Sequence, residues 1–301
     1  MIIIIGKDGF IGSSIINYFS NFLKPDQYIG ISRHNFELLD RIDFSRENIS
    51  TVIYCVGNRL QYYKNDEIFN YVENEMNFIS QSISRIKCKK INIIYFSSAG
   101  TLYKQTDYLP SLEHSITEPH NNYGLYKMKI ENYLLRTFVE KNISVFILRV
   151  SNVYGPFQKP NLGQGLISTL VNNLLNNKQS IIHFEGKEMR DYIYIDDLCS
   201  AVLSIALKSH SSQNHLYNIS RGESVSTNSI IDQIFEVLSS HAIYRERNLI
   251  MHTKLSMHDL PTNSFIDSSK FRLEFDWVPE TDIDNGIAKV LEYQVKTKLD
   301  E

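Results

Sequence analysis

Tyr123 and Lys127 stand four residues apart in HNNYGLYKMKIE, residues 120–131. Positions i and i+4 share one face of a helix. A lysine ammonium beside a phenol lowers the phenol's pKa from about 10 towards working pH. A tyrosine tuned in this way can pass a proton to or from a hydroxyl, and a serine or threonine hydroxyl can hold the same oxygen. The stretch Ser97-Ser98-Ala99-Gly100-Thr101 offers such hydroxyls just after an apolar run. A Tyr-x-x-x-Lys spacing also arises by chance in many helices. Its meaning therefore depends on the elements that position it.

Those elements alternate along the first half of the chain. Short β-branched runs at 2–5, 28–32, 51–56, 91–96 and 144–150 read as strands. Most are continuously apolar, as parallel strands covered on both faces should be. Helix-period segments lie between them. Residues 66–84 align Ile68, Val72, Met76, Ile79 and Ile83, and 124–139 align Ile130, Leu134, Leu135 and Phe138. Repeated strand–helix–strand units predict an α/β fold with a Rossmann-type, doubly wound parallel sheet. Turn signals at Gly155-Pro156, Pro160, Gly163 and Gly165 then break the alternation. A helix at 165–177, a strand around 192–195 and helices near 197–208 and 227–239 follow. The expectation is a dinucleotide-binding domain over 1–155, to which later segments return. A smaller C-terminal α/β lobe over 156–301 would bind substrate.

The first strand runs into Gly6-Lys7-Asp8-Gly9-Phe10-Ile11-Gly12, a GxxGxxG spacing between a strand and a helix. Gly6 permits the tight turn, Gly9 lets a pyrophosphate approach the backbone, and Gly12 lets helix and strand pack closely. A tight turn without a ligand is the plainer alternative, but the strand–turn–helix context is what the motif requires. The second strand ends Ser32-Arg33-His34, with no acid at its tip. An acid there would hold the ribose 2′-hydroxyl of NAD, whereas Arg33 suits the 2′-phosphate of NADP. A solvated surface arginine is the other reading. NADP is the expected cofactor, with NAD as the alternative.

Composition narrows the class. With 301 residues, 43% apolar and 22% charged, the chain can bury a large core, and its net charge of −3 gives no reason to expect nucleic acid or an anionic membrane as partner. Cys55, Cys88 and Cys199 are widely spaced, which fits a reducing compartment and neither a disulfide framework nor a metal site. The opening MIIIIG has no basic flank and too short an apolar run for a signal peptide or a span, so a cytoplasmic protein is expected.

Six segments, in order, resemble the extended short-chain dehydrogenase/reductase superfamily, in its NAD(P)-dependent nucleotide-sugar epimerase/dehydratase branch. They are GKDGFIG (6–12), YFSSAGTLY (95–103), NNYGLYK (121–127), LRVSNVYGP (148–156), GKEMRDYIYIDDL (186–198) and DLPTNSFIDSSKFRLEFDW (259–277). The resemblance implies that Tyr123 and Lys127 are catalytic, with Ser98 as the partner hydroxyl and Thr101 second. It implies cofactor contacts from Gly6, Gly9, Phe10, Ile11, Gly12 and Lys127, and an adenine contact from Asp40 or Asp43. It implies substrate contacts from Asn152 to the sugar nucleotide and from Arg190 to the diphosphate. A salt bridge from Arg190 to Asp191, Asp196 or Asp197 is the plainer reading of that arginine. Asn74 matches an asparagine on the helix beside the active site. A homodimer through the helices at 66–84 and from Tyr123 is also implied.

Departures matter. Ala99 stands where many 4-epimerases of the family carry their Ser/Thr, and Ser256 where a second diphosphate arginine is common; His258 or Arg221 is the candidate replacement. Gly100 and Thr101 replace the acid pair of the 4,6-dehydratases. SRHNFELLD (32–40) is similar to the adenosine-side segment of NADPH-dependent sugar reductases in this family. The implied function is hydride transfer at C4 of a nucleotide hexose, with an NADPH-dependent 4-keto-6-deoxyhexose reductase ahead of an NAD-dependent 4-epimerase. A dinucleotide-sensing module without catalysis would be expected to lack the Tyr/Lys pair.

Overall fold

The computed structural model describes residues 1–42, 50–57, 65–86, 91–104, 109–138, 143–160, 164–182, 184–208, 215–253 and 263–299. The expected strands of the first half are present as β1 (Ile2–Ile5), β2 (Tyr28–Ile31), β3 (Thr51–Tyr54), β4 (Ile91–Ser98) and β5 (Ile143–Val150). They lie in one parallel sheet of order β2-β1-β3-β4-β5, which β9 (His215–Ile219) extends beside β5. The sheet changes winding direction between β1 and β3, so its ligand crevice lies at the carboxyl ends there.

Side chains alternate across the sheet. Ile2 and Ile4 of β1 enter a core that also holds α1 (Phe10–Phe19), α5 (Ile195–Leu207), α6 (Thr227–Ser240) and α8 (Ile283–Leu299). Ile3 and Ile5 enter a second core on the opposite face, under α2 (Asn65–Arg85) and α3 (Asn122–Thr137). Full burial of β1 on both faces explains why its sequence shows no alternation.

The later half builds smaller sheets. β8 (Met189–Tyr194) pairs with β6 (Asn152–Tyr154), β10 (Ser224–Ser226) and β12 (Asn263–Ser264). β7 (Ser180–Ile182) pairs with β11 (Ile250–His252), and α4 (Leu166–Leu175) and α7 (Ser269–Phe275) complete the order. Most of these strands have two or three residues, too few for a periodic signal. β9, with the sequence His-Leu-Tyr-Asn-Ile, was likewise not expected. Among the described residues no helix is long and apolar enough to cross a membrane.

Candidate active site

The glycine turn has the form its spacing implies. Gly6 lies at φ +94°, and a Cβ on Gly12 would come within 2.2 Å of the Gly6 carbonyl oxygen. Backbone therefore passes backbone at a distance no side chain permits. Gly9 is the N-cap of α1 and supplies no side-chain cap. Phe10 and Ile11, both half-buried, form the first turn. The first N–H groups of α1, at the positive end of its dipole, point at the crevice, and this cradle fits a dinucleotide pyrophosphate.

At the tip of β2 the chain enters a 3-10 segment, Arg33–Arg41, whose start is fixed when the His34 N–H donates to Ser32 Oγ. Arg33 is half-buried, with its guanidinium 5.7 Å from the centroid of the Phe78 ring on α2. It is thus turned towards α2 rather than standing as a solvated surface residue. Asp40 forms an ion pair with Arg85 at 3.0 Å, at the far end of α2. Asp43 lies outside the described residues.

The catalytic candidates converge at the end of β4. Thr101 Oγ1 donates to Ser98 Oγ at 3.2 Å, so the two hydroxyls adjoin one another. Helix α3 begins beside them. Asn121 caps it by accepting the Gly124 N–H at 2.9 Å. A Cβ on Gly124 would lie 2.3 Å from the Thr101 carbonyl oxygen, so glycine allows this first turn, and Tyr123 with it, to press against Thr101. One turn on, Lys127 is 5% exposed. Its Nζ donates to the Phe96 carbonyl at 2.7 Å and to Tyr95 Oη at 3.2 Å, and lies 5.7 Å from the Tyr123 ring centroid.

This geometry changes one expectation. Burial pushes the Tyr123 phenol up to about 12 rather than letting Lys127 pull it down. The ammonium is turned towards Phe96 and Tyr95, and desolvation of the phenolate dominates. Lys127 is itself lowered to about 8 by burial, against the opposing pull of Glu75 and Glu131.

The substrate candidates lie on the small sheet. Arg190 is half-buried on β8, between β10 and β12, and burial lowers its pKa. Asn152 Nδ2 donates to the Asp191 carbonyl at 2.9 Å, joining β6 to the same strand. The Asp191 carboxylate accepts the N–H groups of Arg221 and Gly222, and that of Asp197 accepts those of Glu280 and Thr281. Ser264 on β12 pairs in register with Arg190, and its Oγ would lie 3.3 Å from a Cβ on Gly100. β12 therefore links the Arg190 strand to the carboxyl end of β4. Arg221 bonds Glu223 and the Thr281 carbonyl. Ser256 and His258 lie outside the described residues.

Helix α2 turns Glu75, the neighbour of Asn74, into the interior. Asn74 is exposed, while Glu75 is fully buried and accepts from Tyr54 Oη at 2.7 Å. The signal was an acid set within the apolar stripe, three residues after Val72. A second missed pair is Arg149 on β5 with Glu131 on α3, buried and bidentate at 3.1 and 2.8 Å.

Residues 2–220 match the NAD dependent epimerase/dehydratase family. The chain belongs to this family. Its members carry out NAD(P)-dependent hydride transfer on nucleotide sugars, and the chain is an enzyme of this class. It is 30% identical to a dTDP-4-dehydro-6-deoxyglucose reductase of Escherichia coli, over 96% of each chain. It is 26% identical to a putative UDP-glucose 4-epimerase of Methanocaldococcus jannaschii, over 97% of this chain and 98% of that one. A UDP-glucose 4-epimerase of Thermotoga maritima, solved with UDP-glucose, shares the fold with a TM-score of 0.82 and 22% identity over 99% of both chains.

Proposed function

We propose that the protein is an NADPH-dependent reductase of nucleotide-linked 4-keto-6-deoxyhexoses. The observation that carries this reading is the placement of Lys127. Its ammonium is held at the carboxyl end of β4, with Tyr123 one helical turn ahead and the glycine turn two strands away. Bound NADPH supplies the hydride. Ser98, with Thr101 behind it, donates a hydrogen bond to the C4 oxygen. Tyr123 gives that oxygen its proton, and Lys127 steadies the phenolate left behind. A phenol held at about 12 stands protonated at neutral pH, which is the form a ketoreduction consumes. Asn152 and Arg190 seat the sugar nucleotide, Arg190 reading the diphosphate as a guanidinium fork can. NADPH is favoured because β2 ends in Ser32-Arg33 without an acid, and the E. coli reductase is the relative at 30% identity.

The dinucleotide would sit on residues 1–155 together with later segments returning to that sheet, and the nucleotide sugar mainly on 156–301. Action in the cytoplasm fits this cofactor and the free thiols of Cys55 and Cys199. A homodimer through α2 and α3 fits the exposed Phe69 ring on α2, with Lys129 of α3 5.0 Å above it.

The packing of Arg33 against Phe78 favours a second reading, an NAD-dependent 4-epimerase, because it turns the guanidinium inwards. The test is to denature the pure protein, identify the released dinucleotide, and titrate NADPH and NADH in parallel. A protein that carries no cofactor and prefers NADPH supports the reductase. Retained NAD with weak NADPH binding makes the epimerase correct.

A further inference from the structure

Behind the proposed proton-transfer pair lies a buried carboxylate that this chemistry does not use. Glu75 is 0% exposed. One of its oxygens accepts from Tyr54 Oη at 2.7 Å. The other, Oε2, faces the buried hydroxyl of Tyr126. Tyr126 sits on α3 between Tyr123 and Lys127. Its ring centroid lies 6.5 Å from that of Tyr123 and 5.6 Å from Lys127 Nζ. Tyr95 completes the layer, accepting from Lys127 and lying 6.3 Å from the Tyr54 ring. Three buried tyrosines therefore lie between a buried carboxylate and a buried ammonium.

A carboxylate in a dry pocket is costly unless hydrogen bonds and a cation's field offset its burial. Lys127 and Arg33 are the cations that face this pocket. We propose that Glu75 is a positioning residue for the hydride-transfer chemistry, its carboxylate, held by Tyr54, keeping Lys127 in the ammonium form beneath Tyr123. The proposal rests on the reading of Tyr123 and Lys127 as the proton-transfer pair. Burial is the largest influence on Lys127 and lowers it to about 8, and Glu75 is the first charge opposing that fall. The other groups facing this pocket are Tyr54 and Cys55 at the end of β3, Tyr95 on β4, Tyr123, Tyr126 and Glu131 on α3, and Arg33 from the segment after β2. Glu131 is already closed in its pair with Arg149, and Cys55 is pushed far up by burial, which leaves Glu75 as the carboxylate whose charge Lys127 draws on.

The test uses Glu75→Gln, which keeps an acceptor for Tyr54 and removes the charge. Lysine 13Cε signals are titrated by NMR, with the Lys127 signal identified by its loss in Lys127→Met. The midpoint for Lys127 falls by about one pH unit in the variant. Glu75→Asp restores most of that shift. An unchanged midpoint overturns the proposal. Should Glu75→Gln not fold, the double variant Tyr54→Phe/Glu75→Met, which removes the charge together with its donor, moves the midpoint in the same direction, and an unmoved midpoint overturns it again. In parallel, the alkaline limb of kcat for NADPH-driven ketosugar reduction moves to lower pH in Glu75→Gln, with KM for the sugar unchanged. A shifted NMR midpoint in a protein whose wild type reduces no ketosugar leaves the electrostatic role standing and removes the proposed reaction instead.

Discussion

Two cations are buried where helix α3 packs on the sheet, and the protein treats them in opposite ways. Arg149 is closed on Glu131 by two hydrogen bonds and lies 5.0 Å over the Tyr103 ring. Burial pulls its pKa down, but the hydrogen bonds and charge of Glu131 outweigh burial, so its net shift is upwards. Lys127 donates to neutral oxygens, those of Phe96 and Tyr95, and its nearest carboxylates stand off. Burial wins there, and its pKa falls to about 8. The first arrangement fixes a charge for architecture, tying β5 to α3. The second leaves a charge adjustable, on the face of α3 turned to the end of β4. A bidentate guanidinium suits the first task and a compact ammonium on a flexible stem the second.

The largest expected effect breaks the open side of this comparison. Tyr123→Phe removes the proposed proton donor and should lower kcat by about 10²–10⁴-fold, while thermal unfolding stays at the wild-type temperature. A variant that keeps wild-type turnover would remove Tyr123 from the reaction. The closed side breaks through stability instead. Arg149→Met leaves Glu131 buried and unpaired, and should cost about 3–5 kcal/mol in denaturant unfolding. The double variant Arg149→Met/Glu131→Leu should recover most of that loss, because it removes both charges. If the double variant is as unstable as the single one, packing rather than charge holds β5 to α3.

The smallest effect sharpens the contrast. Lys127 titrates at about 8 in the folded protein and near its usual 10.5 when unfolded. Between those values the unfolded state binds more protons, so this group's contribution to stability rises with pH across that window. Lys127→Met should therefore flatten the pH dependence of unfolding between pH 8 and 10.5 relative to wild type. Arg149, charged in both states, should give no such slope.

The parts that sequence pattern revealed are those governed by neighbours a few residues apart. The glycine turn depends on a spacing of three, and its close approach occurs between Gly6 and Gly12. Tyr123 and Lys127 share a face because they are four apart on one helix. The parallel strands were legible because burial on both faces leaves unbroken apolar runs. What stayed hidden depends on distant partners. Arg33 is turned by Phe78, which lies on another element. Glu75 lies within the apolar stripe of α2, but the partner of its carboxylate, Tyr54, stands 21 residues away on β3. The direction of the Tyr123 shift depends on how the folded chain desolvates the phenol, and no local spacing reports that. β12, which brings Arg190 towards Gly100, has only two residues and no pattern to read.

The most direct test of the central claim is to supply NADPH carrying deuterium at nicotinamide C4, on the face it transfers from, together with a nucleotide-linked 4-keto-6-deoxyhexose. The sugar product is then examined by NMR. The account predicts one deuterium at C4 of the product for each NADPH consumed, and loss of both in Tyr123→Phe. Interconversion of C4 epimers with no NADPH consumed and no deuterium in the sugar would contradict it.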